Sequence, residues 1–253
     1  MQRSSGFRAP LRQYFGLDLR TALLALAVFS AVRVILVLQA NVTGSYQAVS
    51  VVFVAMIALP WLVLDRSGRR RIGLVRPTRL PWLALAGPAG AAAAGLVFVV
   101  FSLFWGTSIL NPFVYIGGTY SAVVSVATES DRAISFAIFA LIAVTFSPLG
   151  EELFYRGLVQ QSLATSLGTN RASLVDAAAF ATVHLAHFGL LYVAGVWSFA
   201  AGPGVLWFAA MFLSALLFDR LRRLSGSVFG AVVGHAGFNL GMTWVIFYGV
   251  DLF

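Results

Sequence analysis

Long apolar stretches alternate with short polar segments along almost the whole chain. A helix that spans a membrane needs about 20 mostly apolar residues, and seven stretches approach or reach that length. The predicted spans are Thr21–Ala40, Ala48–Leu64, Pro81–Phe104, Ala133–Leu149, Ser173–Phe188, Val205–Phe218 and Val228–Tyr248. The Gly- and aromatic-rich segment 189–204 leaves room for a short extra helix. The pattern therefore predicts an all-α fold, a polytopic helical membrane protein with seven or eight transmembrane helices.

One membrane domain is expected over residues 21–253, preceded by a basic leader over residues 1–20. The leader is not followed by the short apolar core and small-residue cleavage site of a signal peptide, so the first apolar stretch is interpreted as a retained helix. The segment 106–132, between the third and fourth spans, is more polar and is interpreted as a loop.

Composition supports insertion into a membrane. Hydrophobic residues make up 60% of the 253 residues and charged residues only 10%, whereas soluble domains keep about a quarter of their residues charged. The absence of cysteine excludes disulfides and thiolate metal sites. All basic residues are arginines, and this usage, together with the many Ala and Gly residues, is typical of a GC-rich bacterial genome. We therefore expect a bacterial plasma membrane.

The distribution of arginine predicts the orientation in that membrane, because short cytoplasmic loops carry an excess of basic residues. The leader, residues 65–79, Arg171 and residues 219–223 hold nearly all the arginines, whereas the alternate loops hold only Arg132. The N-terminus is therefore predicted to be cytoplasmic. Loops that face anionic lipid account for the net charge of +8, so nucleic acid is not expected as a partner.

The chain has only three glutamates and three histidines, and five of these six lie at or inside predicted spans. Placing an ionisable side chain at membrane depth costs about 2.5–3.5 kcal/mol on insertion scales, so such groups usually face an internal cavity and carry function. We therefore expect an intramembrane polar cavity. The five residues are Glu151, Glu152, His184, His187 and His235.

The two adjacent glutamates lie in the sequence SPLGEELFYRG, at the end of the fourth predicted span. Glu152 and Arg156 share a helical face, and both a structural ion pair and a functional role remain open for them. Glu151 points about 100° away from Glu152, so Arg156 cannot easily pair with both. A carboxylate without a full partner in a low-dielectric site suits a general base or acid, which favours function for Glu151.

The three histidines lie on two further predicted spans. His184 shares a helical face with Phe180, and either a hydrogen bond to a neighbouring helix or a role in a site would explain it. His187, three residues further, is a second ligand or, by preference, an interface residue near the outer end. His235 and Asn239 share one face and offer two donors to a single point, as an oxyanion requires.

Glycines and one arginine complete the candidate residues. Gly234, Gly237 and Gly241 thin the last span and permit close approach of a neighbouring helix or a peptide backbone. Gly157, with the first two of these, is predicted to leave room for an extended substrate. Arg33 lies in the middle of the first span and is predicted to snorkel outward or bind lipid, with no catalytic part.

The motifs E-E-x-x-x-R at 151–156, F-x-x-x-H at 180–184 and H-x-x-x-N at 235–239 together resemble those of the CPBP family. These are the CAAX-protease and bacteriocin-processing membrane proteases, also called Abi proteins, related to the type II prenyl-protein endopeptidases. Each motif alone is weak, whereas the ordered triple on three separate spans is specific. The resemblance covers about residues 130–245.

The resemblance implies a helical intramembrane endopeptidase with its active-site cavity open to the cytoplasmic side. By position, it implies that Glu151 activates the attacking water and that Glu152 and Arg156 brace that carboxylate. It implies further that His184 orients the water.

His235 and Asn239 would, by the same resemblance, stabilise the tetrahedral oxyanion. The family is often labelled metalloprotease, which implies one zinc ion held by Glu151, His184 and His235. A metal-free glutamate mechanism is the alternative. His187 lies outside the family pattern and modestly favours the metal.

Two other functions remain open. Intramembrane Glu and His also form the proton relays of transporters, although the inverted repeats and paired broken helices typical of transporters are not found. A non-catalytic immunity or scaffold protein would keep the same residues as a structural polar network. The partners expected are the lipid bilayer and a peptide or membrane-protein substrate, whose identity the sequence leaves open.

Overall fold

The computed structural model describes residues 5–121, 126–250 and 252, without the side chain of Ser121. Arg3 of the predicted leader and residues 122–125 of the predicted loop lie outside the described residues. The described residues form a helical bundle with one small sheet. Its elements are α1 (Leu19–Thr43), α2 (Gln47–Val63), α3 (Arg66–Arg71), α4 (Leu80–Trp105), α5 (Pro112–Ser121), α6 (Glu129–Glu152), a π-helix (Leu153–Val159), α7 (Gln160–Leu167), α8 (Thr169–His184), β1 (Leu190–Val193), β2 (Val196–Phe199), α9 (Ala201–Ser225) and α10 (Val228–Tyr248).

The prediction of a multi-pass helical membrane protein is confirmed at this level. Within the described residues, five helices are long and apolar enough to cross a membrane: α1, α4, the continuous helix Glu129–Leu167, α9 and α10. With 17 residues, α2 is an apolar helix of shorter length. With 16 residues, α8 is also shorter than these five.

Two segments between the spans differ from the prediction. The 106–132 segment contains α5, rather than loop alone. The 189–204 segment forms an antiparallel hairpin, not an extra helix, before α9 begins. Ala194 and Gly195 connect the two strands with φ values of 50° and 83°, and two consecutive residues with positive φ are the connection that suits strand twist. The β-branched and aromatic residues on either side favour strands.

The arginine-rich segments lie together at one end of the bundle. The Arg8 N–H donates to the Val63 carbonyl at 3.0 Å, so the leader packs on the end of α2. The Val228 N–H donates to the Gly73 carbonyl at 2.9 Å, so the 72–79 segment packs on the α9–α10 turn. This segregation agrees with the loop grouping expected from the sequence.

Glycines allow α4 and α10 to pack closely. A Cβ atom at Gly237 would clash with the backbone of Gly87, and one at Gly90 would clash with the backbone of Gly234. The glycines of α10 therefore accommodate a neighbouring helix. Gly157 likewise faces protein, because its nearest neighbour is the side chain of Ile72. The prediction that Gly157, Gly234 and Gly237 leave room for substrate was therefore wrong.

This packing can be tested with two glycines of the same helix. Gly90→Ala is expected to destabilise the protein, because its methyl group would separate α4 from α10. Gly95→Ala is the matched control: a Cβ there meets no atom within 4 Å, so the substitution should gain up to about 1 kcal/mol of helix propensity. Thermal unfolding in detergent measures both, and equal melting temperatures would contradict the close contact.

Candidate active site

Four helices bring the predicted polar residues together inside the bundle. Glu151 and Glu152 come from the end of α6, His184 from the end of α8, and His235 from the middle of α10; all four are buried. The fourth helix is α1, which contributes Arg33, 1% exposed. The expected convergence of three motifs therefore occurs, with a cation added from the first span.

Local irregularities flank the two glutamates. Pro148 lies inside α6 and has no N–H to donate, so the helix is weakened just before Glu151. Directly after Glu152, residues Leu153–Val159 form a π-helix, a rare feature that is frequent at functional sites. The two carboxylates then point to different partners, as the helical spacing predicted.

Glu151 is paired through only one of its carboxylate oxygens. Its Oε1 lies 3.0 Å from a terminal nitrogen (NH2) of Arg33 and accepts a hydrogen bond from the Ser147 hydroxyl at 2.9 Å. Among the described residues, its Oε2 has no hydrogen-bond partner. His184 Nε2 lies 3.8 Å from that oxygen, beyond a direct hydrogen bond. Glu151 is therefore a fixed carboxylate with one free oxygen near an imidazole.

Glu152 belongs to a separate buried network. Its Oε2 lies 3.2 Å from Arg156 Nε, and its Oε1 lies 2.8 Å from His235 Nδ1. Asp176 of α8 lies 3.6 Å from the same Arg156 nitrogen. The guanidinium also packs over the Phe180 ring at 4.3 Å, which adds a cation–π contact. This network connects α6, the π-helix, α8 and α10 next to Glu151.

The contacts of His184 determine its tautomer. Its Nδ1 lies 2.6 Å from the Phe180 carbonyl oxygen, so this nitrogen carries the proton. Its Nε2 then accepts from Arg33 NH2, 3.2 Å away. His187 Nε2 also lies near this guanidinium, 3.5 Å from Arg33 NH2. His187, which was expected to be an interface residue near the outer end of its span, contacts Arg33 of α1 beside His184.

Asn239 lies on the wall of the same cavity as His184 and His235, and this cavity has a volume of about 690 Å³. The Asn239 amide donates to the Ala143 carbonyl at 3.0 Å, which ties α10 to α6. The ring of Phe218 stacks on His235 with centroids 4.9 Å apart. His235 and Asn239 therefore share one face, as predicted, although both already have protein partners.

Arg33 lies between Glu151 and His184, two of the three residues that the family resemblance implied as zinc ligands. Its NH2 nitrogen is within 3.5 Å of Glu151 Oε1, His184 Nε2 and His187 Nε2. A divalent cation among these donors would be repelled by the guanidinium, and His235 turns its Nδ1 to another carboxylate. Across residues 5–121, 126–250 and 252, no three His, Cys, Asp or Glu side chains are grouped to hold a metal. The arrangement does not fit a zinc ion.

Sequence reasoning missed two members of the site. Arg33 was expected to snorkel to the surface; instead Glu151 and the histidines hold it inside, because a buried cation requires a nearby counter-charge. Its position in mid-span was a sufficient signal, since intramembrane charges usually mark sites. Asp176 is four and eight residues before Phe180 and His184, so the helical period places it on their face.

Part of the chain matches a family of known proteins. Residues 133–241 match the family described as "Type II CAAX prenyl endopeptidase Rce1-like", which confirms the resemblance drawn from the three motifs. The matched region runs from within α6 to within α10, and hence includes Glu151, Glu152 and all three histidines. No curated protein and no solved structure matches the chain.

Proposed function

We propose, on the basis of the match between residues 133–241 and the Rce1-like family of type II CAAX prenyl endopeptidases, that the chain is an intramembrane endopeptidase. The reaction is hydrolysis of a peptide bond by water that Glu151 activates. The observation that carries the proposal is the half-paired carboxylate of Glu151, which is buried next to Arg33, Ser147 and His184. These three neighbours line a cavity of about 690 Å³.

Glu151 acts as the general base. Its free Oε2 is an acceptor, and a water molecule that donates to it, beside the His184 ring, would have its oxygen lone pairs directed at a peptide carbonyl. Attack forms the new C–O bond, and the water proton moves to Glu151. The carboxylic acid then passes this proton to the amide nitrogen as the C–N bond breaks, which leaves a carboxylate and an amine.

Cationic and amide groups stabilise the oxyanion. Arg33 is a permanent charge within the cavity wall, and its contact with Glu151 fixes the orientation of the base. His235 donates Nδ1–H to Glu152, which fixes its ring at the cavity wall. Asn239 has a second amide N–H that can donate to the oxyanion. Glu152, Arg156 and Asp176 act through these groups as positioning residues.

The proposed location is a bacterial plasma membrane with the N-terminus on the cytoplasmic side. The position of the arginine-rich segments at one end of the bundle supports this orientation. The partners proposed are a peptide or membrane-protein substrate and the bilayer itself.

Hydrolysis is expected to proceed without a bound metal ion. Purified protein incubated with apolar peptides in detergent should give cleavage products by mass spectrometry, with the rate unchanged by a zinc chelator. Metal analysis should find well under one zinc per chain. A known zinc protease, treated in parallel, shows that the chelator works. Activity lost with chelator and restored by zinc would overturn the metal-free mechanism; absence of cleavage under all conditions would count against the protease itself.

A further inference from the structure

The cavity extends from the buried site toward only one end of the helices. His184, His235 and Phe218 line its inner part. The outer part is lined by residues 44–47, in the turn between α1 and α2, and by Thr119 of α5. Both of these segments lie at the end of the bundle opposite the arginine-rich loops, because α1 begins at the leader and α4 begins after the 65–79 loop.

Toward the arginine-rich end, α2 and α6 close the cavity by crossing in contact. A Cβ atom at Gly150 would lie 2.7 Å from the Phe53 carbonyl oxygen, so the two backbones touch immediately beside Glu151. Phe154 lies one turn after Gly150 and is fully buried. Its ring packs against that of Phe29, with the ring centroids 4.8 Å apart.

Polar contacts close the same end between the other helices. Arg222 donates to Gln160 at 2.6 Å, which joins α9 to α7. The Ser173 hydroxyl donates to Asp219 at 2.7 Å, which joins α8 to α9. None of these residues lines the cavity, so within the described residues the cavity does not extend to the arginine-rich end.

Toward the opposite end, α2 and α6 form two separate walls of the cavity. Ser50 on α2 and Phe146 on α6 line these walls, and both are exposed. Gly44, Ser45 and Gln47 at the rim are exposed as well. The cavity therefore opens between the outer halves of α2 and α6.

The chemistry of this opening selects its ligand. Apart from Arg33 and the three histidines at the inner end, the described side chains that line the cavity are uncharged, a mixture of small polar, aromatic and aliphatic residues. An extended, uncharged peptide segment with apolar side chains fits such walls, whereas a charged segment would lose its hydration without gaining a partner.

We propose that the substrate reaches Glu151 from the arginine-poor, extracytoplasmic side. The substrate class is then an uncharged segment of a membrane or exported protein on the outer half of the bilayer. A cytoplasmic C-terminus would meet the closed end. This inference rests on the proposed protease function and on the orientation set by arginine, and it reverses the cytoplasmic opening that the family resemblance implied.

Thiol labelling tests the access route, because the chain has no cysteine. Ser45→Cys places one thiol at the rim, and Gln13→Cys places one on the exposed leader at the other end. In intact cells, a membrane-impermeant maleimide should label the first variant and not the second. Labelling of Ser45→Cys with a bulky maleimide should then reduce peptide cleavage at least about tenfold, with the cysteine-free protein unaffected. Labelling of only Gln13→Cys, or full activity after rim labelling, would overturn the route.

Two reporters separate this inference from the function on which it rests. Each reporter is a single-span protein that is co-expressed with the protease and carries the same uncharged segment. The first reporter carries this segment on the outer side of the membrane, and the second carries it on the cytoplasmic side. Cleavage of the outer reporter alone is expected. Cleavage of the cytoplasmic reporter alone overturns the access route and leaves the protease function standing. Cleavage of neither overturns the protease function, and the inference with it.

Discussion

Replacing Glu151 with Gln is expected to lower the rate of peptide hydrolysis by about 10²–10⁴-fold, the usual contribution of a positioned general base. The amide keeps the size of the side chain and can still accept from Ser147 and Arg33, which contact Oε1 in the native protein. It cannot take the proton of an attacking water. The initial rate on one peptide substrate, measured in detergent, checks the prediction.

A loss of folding would imitate this result, so stability is measured in the same samples. Glu129→Gln is the matched control: it changes the glutamate that lies outside the site, which is exposed and pairs with Arg132 at 3.4 Å, and should leave activity unchanged. Glu151→Asp keeps the charge on a shorter side chain and should retain part of the rate. Full activity in folded Glu151→Gln would remove this residue from its role as base.

Replacing Arg33 with Ala is expected to destabilise the protein by about 3–5 kcal/mol, the usual effect of removing one partner from a buried ion pair. Arg33 and Glu151 are both nearly inaccessible, with side chains 2% and 1% exposed. Without the guanidinium, the carboxylate is buried with no counter-charge, and His184 and His187 lose a donor. Denaturant or thermal unfolding measures the change, and peptide hydrolysis should be lost as well.

A double variant separates charge from packing. Arg33→Met with Glu151→Gln removes both charges and fills the space, so it should be more stable than Arg33→Met alone while remaining inactive. Arg132→Ala serves as the control, because its partly exposed pair with Glu129 should contribute only about 0–1 kcal/mol. If Arg33→Ala were as stable as the native protein, the buried ion pair would not hold the site together.

The interior of the site could be predicted in part because its motifs are local. Glu152 and Arg156 are one helical turn apart, and so are Phe180 and His184, so the period of a helix alone places each pair on one face. That Glu151 points away from Glu152 follows from the same geometry. Which carboxylate meets which imidazole does not: His235 pairs with Glu152, and His184 lies beside Glu151.

The sequence by itself determined that the chain inserts into a membrane, approximately where its helices cross, and which few polar residues the cavity must hold, because hydropathy and helical period act over neighbouring residues. Only the tertiary structure decided that Arg33, 151 residues before His184, lies between Glu151 and His184 in the site. It also decided that the cavity closes at Phe53 and Gly150 and opens at the other end. These features depend on how α1, α2 and α6 pack against one another, and long-range packing of apolar helices leaves no short-range pattern in the sequence.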